Sequence, residues 1–169
     1  MRHWLLWIHL ASVAAFGGAT LLMLVMGTTA TQASPLSFAA LRQAMTIGAE
    51  AVVVPALLLM IVSGMLLLVA RPTLIEARWV WGKALVGVLV AAVALLQVQP
   101  ATRHATALAV QGAMGSVLQS EERSVAGTRG PLDAALVSEQ RGQWITLGLL
   151  LAGVGLAVWR PRLGRRDAD

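Results

Sequence analysis

Two ionisable residues stand inside apolar sequence. His9 lies in Trp4-Leu5-Leu6-Trp7-Ile8-His9, and Lys83, the one lysine of the chain, in Trp79-Val80-Trp81-Gly82-Lys83. Moving such groups out of water is costly, so an ionisable residue within a membrane span is a functional-site hypothesis by default. A neutral imidazole can ligate haem iron, copper or zinc, or carry a proton. Its structural alternative is a hydrogen bond to a neighbouring helix. A lysine facing the interior can bind a carboxylate such as a porphyrin propionate, and one near a helix end can instead snorkel to the headgroups. Two such residues matter most if they share a depth, which depends on the elements that carry them.

Those elements are legible in composition. The chain has 169 residues, 57% hydrophobic and 12% charged, more apolar than a soluble domain of this size requires. Stretches 4–26, 45–70, 79–98 and 144–160 read as transmembrane helices. The first three reach the ~20 apolar residues a helix needs to cross hydrocarbon, and Ala134 to Val137 could extend the fourth. The expected architecture is an all-α membrane protein: one integral domain over 1–169, folded as a four-transmembrane-helix antiparallel bundle. Alternation puts Arg2, Arg71, Arg78, Arg160, Arg162, Arg165 and Arg166 on one side. Arg42, Arg103, Arg123, Arg129 and Arg141 fall on the other, among Glu121, Glu122, Asp133 and Glu139. The compact C-terminal arginine cluster sets the first side as cytoplasmic. The expectation is a multi-pass protein of the bacterial inner membrane with both termini inside. Trp4, Trp7, Trp79, Trp81 and Trp159 would then mark the inner interface and Trp144 the outer, since an indole is apolar but its N–H seeks water or headgroups. In this topology His9 and Lys83 lie at about the same depth on the same side.

The net charge of +5 resides largely in juxtamembrane arginines and does not indicate nucleic-acid binding; the lipid bilayer is the expected partner. Absence of cysteine excludes disulfides, thiolate metal sites and cysteine nucleophiles. Arg2 and the small residues Thr31-Gln32-Ala33-Ser34 are features of a cleaved leader, but an apolar run of about 23 residues exceeds the ~7–15 of a secretory signal, so it reads as a span.

Along helix 1, His9, Ser12, Phe16 and Thr20 fall at offsets 3, 7 and 11, one face at 3.6 residues per turn. That stripe should point into the bundle. Gly17 and Gly18 beside it, with Gly153 and Gly155 on helix 4, should let helices approach closely. Gly27 to Gln32 reads as a connector. Ser34 or Ser37 is a candidate cap, with Pro35 in the first turn, so helix 2 is expected to begin near Pro35. It should kink near Pro55 and end at Arg71-Pro72. The short link to helix 3 makes helices 2 and 3 antiparallel neighbours. Helix 3 should continue past Gln97, Gln99 and Pro100 as an extension over 101–119, weakened by Gly112 and Gly115. Glu121 to Gly130 reads as a polar loop, with Pro131 opening helix 4. Helices 2–4 would thus be extended beyond the outer face, and 160–169 would form a flexible basic tail.

Other candidate groups are few. Glu50, Arg103, His104 and Gln143 could form an outer polar cluster or stand solvated at the interface; His104 could also serve a second haem or metal site. Met23 with Met26 and Met60 with Met65 could suggest Cu(I), although methionine also fills gaps between apolar helices. No phosphate-binding glycine loop, HExxH, serine elbow or basic-aromatic nucleic-acid patch is present.

The order of His9, Phe16-Gly17-Gly18, Trp81-Gly82-Lys83 and Arg160-Pro161 resembles the HemJ-type protoporphyrinogen oxidases and the related CopD-like four-helix membrane proteins. Ala40-Leu41-Arg42-Gln43-Ala44-Met45 and the run from Gln140 to Trp159 extend the resemblance over most of the chain. The chain differs at Phe16, where HemJ-type proteins usually have Trp, and at Leu95-Leu96-Gln97, where they carry a Tyr-His pair. The resemblance implies haem b as cofactor, with His9 binding the haem iron and Lys83 acting in cofactor binding and catalysis. The leading expectation is a haem- or porphyrin-interacting redox protein. Two alternatives stay open: a non-enzymatic scaffold or subunit with a membrane-protein partner or a second copy, and copper transport as implied by the CopD side.

Overall fold

Ser34-Pro35 opens the second helix as its chemistry dictates. Ser34 is extended (φ −61°, ψ 156°), its hydroxyl oxygen accepts from Ser37 N at 3.3 Å, and Pro35 enters the first turn, where a missing N–H costs nothing. The structure is a computed structural model and describes residues 2–30, 34–70, 78–117 and 121–158. Over these it is entirely helical: α1 (Arg2–Ala30), α2 (Pro35–Gly48), α3 (Val54–Val69), α4 (Arg78–Val93), α5 (Gln99–Val117) and α6 (Glu121–Val158). The expected endings at Arg71-Pro72 and Arg160-Pro161 and the tail 160–169 lie outside the described residues.

Wider turns join α2 to α3 and α4 to α5. Residues Ala49–Val53 and Ala94–Val98 are π-helical, and Val54 N–H and Gln99 N–H reach back five residues to Ala49 O and Ala94 O. A proline follows each: Pro55 and Pro100. Proline lacks the N–H and its ring crowds the carbonyl four residues earlier, so an α-helix must kink or widen to accept it. Both rods widen. The kink expected at Pro55 is therefore a π turn, and Pro100 carries a matching one.

The four rods include spans His3–Thr29, Pro35–Val69, Val80–Val117 and Gly130–Val158, each long and apolar enough to cross a membrane. At ~1.5 Å per residue the 35- and 38-residue spans exceed the ~30 Å hydrocarbon core. Two boundaries differ from expectation. Gly27 to Ala30 continue α1, and Glu121 to Gly130 continue α6, with Pro131 inside the helix rather than at its start.

Helix α1 packs on α3 and touches α6; α2 packs on α5; α6 lies along α4, the second π turn and α5. The central core gathers Phe16, Met23, Met45, Val53, Leu57, Met60, Val90 and Ala94. Farther out, Ala39, Ala109 and Ala113 make a small-residue seam between α2 and α5. Rods 2 and 3 are close neighbours there, but α3 and α4 barely touch. The neighbour relation expected from their short link thus holds in the half of the bundle that carries α2 and α5, called outer for short, and lapses in the half that carries α3 and α4, called inner, where α3 leans on α1 and α4 on α6.

The closest helix contacts also differ from expectation. Gly17 meets Leu150 and Gly153 meets Val86 at ordinary distances, while Gly18 and Gly155 face open space. The tight position is Gly142, where a Cβ would stand 2.8 Å from Val98 Cγ2. It lets α6 lie against the second π turn.

Candidate functional site

The interior carries two polar layers, one below and one above the π turns. The stripe expected on α1 points inward: Ser12, Phe16 and Thr20 are buried and His9 is half-buried. His9 closes onto α3. Its Nδ1 lies 3.1 Å from Met60 O and 3.0 Å from Ser63 Oγ. A carbonyl can only accept, and Ser63 Oγ itself donates to Met60 O, so in the neutral ring Nδ1–H is the donor to both oxygens. Nε2 is then the lone-pair nitrogen, the form in which an imidazole binds a metal. Gly64 makes room: a Cβ there would stand 3.3 Å from His9 Cε1. Ser12 Oγ donates to His9 O at 2.8 Å, which steadies the turn that carries the ring.

Lys83 is half-buried on α4, and its charge lies within electrostatic reach of the imidazole. The structure thus sets the two residues singled out by type on different helices, His9 on α1 against α3 and Lys83 on α4. Trp4, Trp7, Trp81 and Trp144 are each at least 60% exposed.

The second layer was not foreseen. Arg42 of α2, 1% exposed, forms an ion pair with Glu139 of α6, 3% exposed. Thr102 Oγ1 donates to Glu139 Oε1 at 2.9 Å, and Gln143 Nε2 lies 3.4 Å from the same oxygen. Arg42 O accepts from Thr106 Oγ1 at 3.2 Å, and Thr106 and Thr46 hydroxyls pair at 2.8 Å. One carboxylate thus ties rods 2, 3 and 4 together. A signal was present in the sequence. Gln99, Thr102 and Thr106 recur at helical spacing, as do Glu139, Gln143 and Thr146, and Arg42 falls in register with Ala39, Met45 and Ala49 on a small, apolar face.

The outer cluster of Glu50, Arg103, His104 and Gln143 is divided. Arg103 bridges Glu50 at 2.9 Å on the surface, His104 is exposed, and Gln143 belongs to the buried layer. Among the described residues no group of three or more His, Asp or Glu side chains is arranged to hold a metal, at His104 or elsewhere. Met23 and Met60 belong to the core, and Met65 is 62% exposed, so Met60 and Met65 face different ways.

Between the two layers lies a cavity of about 20 Å³, bounded by Phe16, Thr20 and Met23, both π turns, and Gln99, Thr102, Gln143 and Thr146. Comparison with protein families, curated proteins and solved structures finds no match to this chain.

Proposed function

We propose that this chain is an integral inner-membrane protein with both termini cytoplasmic, and that its inner half binds haem b or a related porphyrin. In this reading it is a divergent relative of the HemJ-type and CopD-like proteins, and the outer ends of rods 2–4 stand clear of the hydrocarbon. The pose of His9 carries the proposal. An imidazole whose Nδ1–H is spent on Met60 O and Ser63 Oγ offers Nε2 as a fixed, basic donor. Such a hydrogen bond to a backbone carbonyl commonly orients a metal-binding histidine.

The residues present suit that group in three respects. His9 would supply a ring nitrogen to the iron. Lys83 of α4, half-buried, would supply a cation for a propionate. The loose contact between α3 and α4 gives a flat macrocycle an approach from the bilayer that the tight α1–α3 and α4–α6 seams do not. Bound haem contributes one-electron redox chemistry. The chain would orient the ring through His9 and balance peripheral charge through Lys83.

The test is a visible spectrum of detergent-purified protein from haem-replete cells, oxidised and dithionite-reduced, beside His9→Ala and Lys83→Met. A Soret band that shifts on reduction, disappears in His9→Ala and weakens in Lys83→Met is the expected result. A colourless wild type overturns the proposal. A band that His9→Ala leaves intact rejects the ligand assignment.

A further inference from the structure

The outer polar layer and the central cavity take no part in the haem reading, and they carry an inference of their own. Gln99 is 8% exposed and lines the cavity, yet its Oε1 is buried with no hydrogen-bond partner among the described residues. A buried amide oxygen left unpaired is costly, so native structures normally supply a donor.

The rest of the lining says what kind of donor. Thr20 and Thr146 each give their one hydroxyl proton to a backbone carbonyl, Phe16 O and Gly142 O, both at 2.8 Å. Thr102 gives its proton to Glu139 Oε1 or Val98 O. The threonine oxygens therefore present only lone pairs to the space, as Gln99 Oε1 does. A guest must donate hydrogen bonds. It must also be neutral, because Arg42 already balances Glu139. And it must be small: about 20 Å³ suffices for one water, whose centre needs roughly 10–15 Å³.

We infer that this cavity is a binding site for an internal water molecule, which donates to Gln99 Oε1 and extends the Arg42–Glu139 network to the bundle centre. Thr102 and Gln143 each line the cavity and each reach Glu139 Oε1, so the water stands one side chain from the carboxylate. The two π turns build the chamber. Ala49 and Val53 come from one, Ala94 and Val98 from the other, and the extra girth of a π turn displaces backbone where an unbroken helix would pack closed. Phe16 borders the chamber and separates it from His9 two turns away on the same stripe, so the site is distinct from the proposed haem site.

Met23 supplies a reporter. It lines the cavity at 8% exposure, while Met60 is 6% exposed and does not line it. In synchrotron radiolytic footprinting, water activated in place oxidises the side chains it touches. In haem-free wild-type protein in lipid nanodiscs, read by mass spectrometry, Met23 should oxidise several-fold faster than Met60. In Gln99→Leu, with helicity unchanged by circular dichroism, the Met23 rate should fall to that of Met60. Ala94→Val, which fills the chamber and leaves Gln99 in place, should do the same. Equal rates for Met23 and Met60 in wild type overturn the inference, as does a Met23 rate that Gln99→Leu and Ala94→Val both leave unchanged. Neither result depends on whether the protein binds haem.

Discussion

The inner and outer halves of the bundle bury polarity in opposite ways. In the inner half one half-buried imidazole is held by neutral oxygens, and Lys83 stands on a helix that scarcely touches α3. In the outer half a full ion pair, nearly sealed from solvent, draws a threonine, a glutamine and a guanidinium onto one carboxylate. The difference follows from what each arrangement demands. An ion pair out of water must be closely matched, because separating its charges leaves one of them stranded. That condition clamps three rods in register. A neutral imidazole demands much less, so the elements around it can stand apart and leave a nitrogen available. The outer layer sets alignment, and the inner layer can then serve a ligand.

The comparison can be broken, beginning with the largest effect. Glu139→Leu strands Arg42 in the outer half and should cost ~3–5 kcal/mol in denaturant unfolding of the detergent-solubilised protein. Arg42→Met with Glu139→Leu should recover most of that loss. If Glu139→Leu is neutral, the outer layer is no clamp. Gly142→Ala pushes a methyl into Val98 and should cost ~1–3 kcal/mol, relieved by Val98→Ala. In the inner half, Ser63→Ala removes one of two acceptors of His9 Nδ1 and should cost only ~1 kcal/mol of stability. It should weaken haem retention by ~10–100-fold, the usual effect of a residue that orients a ligand. A stability loss as large as that of Glu139→Leu would erase the distinction between the halves. Glu50→Gln should have the smallest effect: its partner Arg103 is 63% exposed, so the pair is worth ~0.2–1 kcal/mol and fades with salt.

The four rods, the cap at Ser34 and the inward stripe of α1 follow from local rules: apolar length, side-chain period and proline chemistry. Where those rules conflict with context, context prevails. Pro131 suits a helix start, yet α6 begins ten residues earlier, at Glu121. Gly18 and Gly155 suit close packing, yet nothing lies against them. A small residue permits an approach, and only the position of the other helix decides whether one occurs.

The sequence by itself determines that the chain makes four long apolar helices, and that a histidine and a lysine interrupt two of them. Both facts rest on energies that each segment feels alone: the cost of unpaired backbone in an apolar medium and of an ionisable group within it. Tertiary structure alone decides that Arg42 meets Glu139, 97 residues away, and that two proline-driven π turns face one another across a chamber containing an unpaired amide oxygen. An isolated helix gives its polar residues a period and a face; it cannot specify which face of which neighbour they meet. That pairing is fixed when the rods pack, because only then must each buried charge and each buried oxygen find a partner.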